Sequence, residues 1–392
     1  MSDAIPLPPK PHLDHYRKQA KDLLKACRSN AVRAWATRWI RGLSVREVDR
    51  IAQHAEAAKI AKLADAQFFL ARAHGFESWP KFAKHIEALR NAQSADAKFE
   101  AAVDAIVAGD LVTLRRLLRE DPSLVHRRST RTHRSTLLHY VSANGIEDFR
   151  QKTPPNVVEI AKVLLDAGAE VNAESDAYGG HSTTLGLVAT SVHPEDAGVQ
   201  NALMELLLER GATIDRGAIH ACLANGRGQA ADFLARRGAH LDLEGAAGVG
   251  RIDVVESSLH DATDRQIETA FLRACAFGRL EIVKLLLARG VDPAVAEDDG
   301  MTGLHWAAHE GHLDIIELLL ARGAPLEAVN VYGGTVLGGA VWSAIHHPQP
   351  AHLRIIETLV GAGARVGDDW FTGRREIDQA LRRSATRQPP DL

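Results

Sequence analysis

Apolar residues recur along this chain in paired helical stretches. The clearest pair reads Thr302-Gly303-Leu304-His305-Trp306-Ala307-Ala308, then Gly311, then Ile315-Ile316-Glu317-Leu318-Leu319-Leu320, closed by Gly323-Ala324. Leu304, Ala307 and Ala308 fall on one face at helical spacing, and the run from Ile315 fills a second, buried helix. Gly311 and Gly323 stand where the helices must stop, at positions suited to a positive φ. Thr302 precedes the first helix, where its hydroxyl can accept from free backbone N–H groups. Gly278, Leu285 and Gly290 repeat Gly311, Leu318 and Gly323 at an offset of 33 residues, and Thr335 lies 33 beyond Thr302. A period of that length predicts a stack of two-helix units, each burying its apolar face on the next.

The pattern continues, less regularly, in both directions. One unit starts near Phe99. A second holds Leu137-Leu138-His139-Tyr140-Val141 and Asn144-Gly145, and ends at Gly168-Ala169. A third runs from Thr184-Leu185 to Gly211-Ala212, and a fourth from Ala218-Ile219-His220-Ala221-Cys222 to Gly238-Ala239. A fifth spans 246–259, the sixth and seventh are the measured pair, and an eighth runs from Thr335-Val336-Leu337 to Gly363-Ala364. The stretch Thr302-Gly303-Leu304-His305-Trp306-Ala307 resembles the T-P-L-H-x-A signature of the ankyrin-repeat family, with Gly303 in place of proline. The resemblance covers residues 99–366. It implies an all-α ankyrin-repeat solenoid of about eight irregular helix-turn-helix repeats, which binds a protein partner through its concave groove and hairpin tips and does not catalyse. His305 is expected to bond backbone between repeats.

Departures from the period locate the candidate chemistry. Gly226 to Gly250 spans only 24 residues and Gly211 to Gly238 only 27, so units three to five lack room for a hairpin finger. Gly245-Ala246-Ala247-Gly248-Val249-Gly250 is read as a fingerless junction. Other units carry polar inserts between their two helices, at 146–156, 191–200 and 343–351. Pro154-Pro155 and His193-Pro194 favour shaped loops, because proline fixes φ and restrains its predecessor. Loops on a rigid scaffold often carry function. The first two inserts belong to adjacent repeats, so Asn144, Glu147, Arg150, Gln151, His193, Glu195 and Gln200 are candidate walls of a small-molecule pocket. Were that pocket catalytic, His193 or Glu147 would be its base. A solvated insertion is the plain alternative, since loop entropy grows slowly with length. On the inner-helix face Tyr140, Trp306, His309 and Trp342 are candidate anchors, because Trp and Tyr are favoured in binding surfaces. For Trp306, packing against the next inner helix is the competing reading.

Ahead of the repeats, Leu13, Tyr16, Ala20, Leu23 and Cys27 share one helical face. A second helix is expected from Ser44, with Glu47 completing a capping box, to about His74; a third follows Ser78-Trp79-Pro80 and ends near Asn91. The stretch from Leu63-Ala64-Asp65-Ala66-Gln67 to Gly75-Phe76-Glu77-Ser78-Trp79-Pro80 is similar to a helical domain that precedes ankyrin repeats in many bacterial proteins. Charge separates this region from the rest. Residues 1–95 hold 17 Lys+Arg against 9 Asp+Glu, whereas the whole chain holds 47 against 50. Such a domain can cap the apolar end of the first repeat or face an acidic partner. The cap is the reading adopted here, and with no recognisable motif nucleic acid is disfavoured. The expected domains are 1–95 (basic cap), 96–370 (repeats) and 371–392 (a C-terminal helix and polar tail).

Cys27, Cys222 and Cys275 form no CxxC pair, which fits reduced thiols. No run approaches the length of a membrane-spanning helix. The 19 histidines make no HExxH or HxH, and no nucleophile elbow, P-loop or dinucleotide fingerprint occurs. No catalytic residue, metal or cofactor is therefore assigned. The expectation is a cytoplasmic, monomeric scaffold with an unidentified protein partner, and a small molecule as the alternative.

Overall fold

The computed structural model describes residues 4–40, 44–367 and 370–382. The chain forms two compact units, Met1–Asp215 and Arg216–Leu392.

The first unit opens with α1 (Leu13–Arg28), α2 (Val32–Trp39), α3 (Val45–Ala57), α4 (Leu63–Ala73) and α5 (Trp79–Leu89). α1 buries Leu13, Tyr16, Ala20 and Leu23 as its spacing predicts, while Cys27 is half-buried. The capping box forms: Ser44 Oγ accepts from the Glu47 N–H, and the Glu47 carboxylate accepts from the Ser44 N–H at 2.7 Å. The single helix expected from Ser44 to His74 is instead two. The chain turns at Lys59, whose φ is 49°, and Asp65 restarts it by accepting from the N–H groups of Ala61 and Lys62 at 3.1 and 3.0 Å. That break brings Ile51, Ala52 and Ala55 of α3 and Ala66 and Leu70 of α4 into one core with Leu23, Trp35 and Ala36.

Three repeats complete this unit. The first is α6 (Ala95–Ala108) with α7 (Leu111–Glu120). The second pairs a 3-10 turn at Leu137–Ser142 with α8 (Val157–Asp166), and the third pairs α9 (Thr184–Thr190) with α11 (Gln200–Glu209). Both inserts are ordered: 146–156 contains a 3-10 turn at Asp148–Arg150, and 191–200 contains the short α10 (Val192–Asp196). Two strands, β1 (Glu174–Ser175) and β2 (Ser182–Thr183), pair antiparallel ahead of the third repeat.

The second unit stacks five more pairs: α12 (Ala218–Ala224) with α13 (Gly228–Arg236), α14 (Leu243–Val249) with α15 (Ile252–Ser258), α16 (Asp264–Ala276) with α17 (Leu280–Ala288), α18 (Gly303–Glu310) with α19 (Leu313–Ala321), and α20 (Val336–His346) with α21 (His352–Gly361). α22 (Arg375–Arg382) packs on α21, and its Ile377, Ala380 and Leu381 close a core that begins at Leu243. The polar tail beyond it lies outside the described residues.

Hairpin bridges tie Ala296 to Thr302 and Val329 to Thr335, as Arg128 is tied to Thr136 in the first unit. Short turns alone lead from α13 to α14 and from α15 to α16, so the fingerless middle is real. It starts one repeat later than the spacing suggested, because the β1–β2 finger still precedes repeat three. The glycine-rich segment 245–250 is the inner helix α14 itself, not a junction. A Cβ on Gly248 would lie 2.5 Å from Leu223 Cδ1, so the glycine lets α12 approach. Gly303 replaces the signature proline for a similar reason, since a Cβ there would meet Cys275 Sγ at 2.8 Å. His305 bridges repeats as expected, with Nδ1 at 2.9 Å from Thr302 Oγ1 and Nε2 at 3.3 Å from the Gly334 carbonyl. Insert 343–351 is partly helical, because α20 runs on to His346. No described helix is long and apolar enough to cross a membrane.

Candidate functional site

The insert of the second repeat turns its charges inward. Arg131 bridges two carboxylates, with Nη1 at 2.6 Å from Glu100 Oε1 and Nε at 2.8 Å from Glu147 Oε1. Arg150 closes the ring: its Nη2 lies 2.8 Å from Glu100 Oε2 and 2.7 Å from Asp104 Oδ1, and its Nη1 3.4 Å from Glu147 Oε1. Glu100, Arg131, Glu147 and Arg150 are all buried. Burial pushes the Glu100 carboxyl up, but the Arg131 and Arg150 guanidiniums outweigh it and hold it at about 2. Glu147 is held low in the same way, against its own burial, first by Arg131. Two carboxylates and two guanidiniums balance, which is the condition for tolerating charge away from water.

This corrects the reading of Tyr140, Glu147 and Arg150 as accessible binding residues. Tyr140 is 1% exposed, and burial pushes its phenol well above the usual range. Its hydroxyl, Glu147 Oε2 and Arg150 Nε have no hydrogen-bond partner. The 3-10 turn at Asp148–Arg150 carries both charged side chains back towards α6, where Glu100 and Asp104 wait one helical turn apart. Gln151 serves the same turn, donating to the Ile146 carbonyl at 3.0 Å. Asn144 fastens the next repeat: Nδ2 donates to the Leu187 carbonyl at 3.1 Å, and Oδ1 accepts from the Tyr178 hydroxyl.

The insert of the third repeat folds onto its own helix. Gln200 is buried, and its Nε2 donates to the carbonyls of Val188 at 2.9 Å and Ser191 at 3.1 Å, closing the end of α9. That corrects Gln200 from ligand contact to helix terminator. His193 and Glu195 remain half-buried on α10.

The second unit gathers the other predicted residues on its inner helices. His309 and Trp342 occupy equivalent positions of α18 and α20, and their rings stack with centroids 5.7 Å apart at 19°. Trp306 meets His309 edge-on at 6.5 Å, and His346 stacks on Trp342 at 4.6 Å. Ser343 Oγ, 2.8 Å from His309 Nδ1, fixes the imidazole between them. Trp342 is 46% exposed, whereas Trp306 is half-buried with its indole N–H enclosed. On the finger that leads into α20, Val329, Val331 and Tyr332 are exposed around the Val329/Thr335 bridge, Tyr332 at 84%. The sequence reading missed His346 and this finger. Adjacent turn residues give no periodic signal, although Val-Asn-Val-Tyr at a turn was visible. Among the described residues, no group of three or more His, Cys, Asp or Glu is placed to hold a metal ion.

Helix pairs stacked on a shared core, hairpin fingers and histidines that bridge repeats define an all-α repeat solenoid. Residues 243–332 and 271–368 match the family of ankyrin repeats (3 copies). No curated protein matches the chain. Ankyrin repeats are in general protein-interaction modules.

Proposed function

We propose that the protein is a scaffold that holds a protein partner on the inner-helix and finger surface of its second unit. The observation that supports this most is the ladder Trp306–His309–Trp342–His346, together with the exposed Val331 and Tyr332 on the finger that leads into α20. Aromatic side chains supply rigid contact area at small entropic loss, and monomers seldom expose them together without use. The scaffold acts as a monomer in the cytoplasm of a bacterium. Its N-terminal helices serve as the cap of the first repeat. Contacts that support the cap are the Gly75 carbonyl accepting from the Thr132 N–H at 2.8 Å and His85 Nδ1 at 2.9 Å from Thr130 Oγ1. A ligand pocket between the inserts is the weaker reading, since Glu147, Arg150 and Gln200 are committed to the interior.

Affinity retention from native cell extract tests the scaffold. The wild-type chain is expected to retain a discrete protein that the Trp342→Ala/Tyr332→Ala double variant loses. Glu317→Ala, on the exposed side of outer helix α19, should keep it. Equal retention by all three chains would sink the assignment.

A further inference from the structure

α3 and α4 follow one another in the chain but pack elsewhere, α3 on α2 and α4 on α1 and α5. Between them, with Ile5 as a further wall, lies a cavity of about 690 Å³. That volume is typical of small-molecule sites, which run to roughly 300–1,000 Å³. Each long wall is one helix face. Ile51, His54 and Ala58 of α3, and Asp65, Phe68 and Arg72 of α4, line it at steps of three and four residues.

Most of the lining is apolar: Ile5, Ile51, Phe68, Phe69 and four alanines, against Arg50, His54, Asp65 and Arg72. Phe68 is 54% exposed and Phe69 half-buried, so both rings can be reached from the cavity. Large apolar side chains left open in a concave site mark a place where apolar matter binds. The polar groups favour positive charge. Asp65 turns its carboxylate to the N–H groups of Ala61 and Lys62, at 3.1 and 3.0 Å. It lies two helical turns, about 10 Å along α4, from Arg72. Arg72 is half-buried, and among the described residues its guanidinium has no hydrogen-bond or ion-pair partner; nor has the ring of the exposed His54. A guanidinium held between apolar walls without a partner calls for an anion.

A ligand that answers these features has an apolar body and one anionic head. We propose that this cavity binds a fatty acid of medium chain length, its carboxylate on Arg72 and its chain along Phe68 and Ile51. A guanidinium and a carboxylate match as a planar pair joined by two hydrogen bonds. From Ile51 to Ala58 the α3 wall runs about 10 Å, which an extended chain of about eight carbons spans. The site is independent of the scaffold surface in the second unit, so either can fail without the other.

Calorimetric titration of the full chain with octanoate, octanol and butanoate tests it. Octanoate should bind below roughly 1 mM, octanol about fivefold more weakly, and butanoate at least tenfold more weakly, since each buried methylene adds to affinity. Arg72→Gln keeps an apolar stem and should bring octanoate down to the octanol level. Phe68→Ser changes an exposed residue and should weaken octanoate and octanol alike. The proposal is overturned if octanoate does not bind at roughly 1 mM, or if octanol or butanoate binds as tightly. It is overturned equally if Arg72→Gln leaves the preference for the acid intact. Self-association of the wild-type chain that Phe68→Ser abolishes would assign the groove to a second copy, and would overturn it too.

Discussion

Removing Arg131 would strand two carboxylates in the interior of the first unit. With Arg131→Leu, Glu100 and Glu147 keep Arg150 as their one shared guanidinium, and breaking a buried pair typically costs about 3–5 kcal/mol. Urea unfolding of the variant should show a loss of that order; a loss within the surface range of about 0.5 kcal/mol would mean that water reaches the cluster. Trp342→Ala is the converse case. Its ring is half outside and stacks on imidazoles, so stability should fall by less than about 1.5 kcal/mol, the worth of an aromatic pair, while partner binding falls by about 2 kcal/mol or more. Melting and affinity measurements on one preparation separate the two effects. The residue types at Glu147, Arg150 and Trp342 were legible as functional candidates. Which way each faces was not, because Glu100 and Arg131 lie far along the chain from Glu147 and leave no local pattern.

Among elements, the middle repeats are the weakest. α12, α13 and α15 are short, and none has a side-chain cap hydrogen bond. α15 buries Val255 alone among its residues, whereas α17 buries Ile282, Val283, Leu286 and Leu287. Amides of Ile252–Ser258 should therefore exchange with deuterium well before those of α17, read by mass spectrometry of peptides; equal protection would contradict this ordering. A second expectation concerns the end of the 3-10 turn in repeat two. Ala143 sits there at φ 48°. The left-handed conformation costs a residue with a Cβ about 1–2 kcal/mol, partly offset by the greater freedom glycine loses on folding. Because the methyl group that is lost is fully buried and worth about 0.8 kcal/mol, Ala143→Gly should leave stability within about 0.5 kcal/mol of wild type in the same urea assay, and a loss above about 1 kcal/mol would contradict this. Helix existence was legible from apolar spacing, and the capping box from Ser44 and Glu47. The break at Lys59 was not, since no proline or glycine marks it; the packing of α3 on α2 and of α4 on α1 imposes it.

At the scale of the molecule, the buried histidines set the response to acid. Burial depresses His74, His85 and His139 to about 4, all in the first unit. The unfolded chain takes up these protons near pH 6.5, so the stability they represent is complete above that pH. It declines as pH falls from 6.5 towards 4, by on the order of 3 kcal/mol for each histidine. Glu100, held at about 2, adds a loss that begins only near pH 4.5, the ordinary glutamate range, and continues towards 2. Thermal unfolding from pH 7 to 4, with exchange reporting each unit separately, should show the first unit losing protection earlier. If the second yields first, these histidines do not govern acid stability. By itself the sequence determined the repeat period, the paired helices, the shortened middle and the basic N-terminal region, because each rests on spacing or composition that repeats within reach along the chain. Tertiary structure alone decided that Glu147, Arg150 and Gln200 turn inward, and that His309, Trp342 and His346 form one stack. Those outcomes depend on distant segments meeting, and the free energy of a polar side chain depends on the partner it meets there.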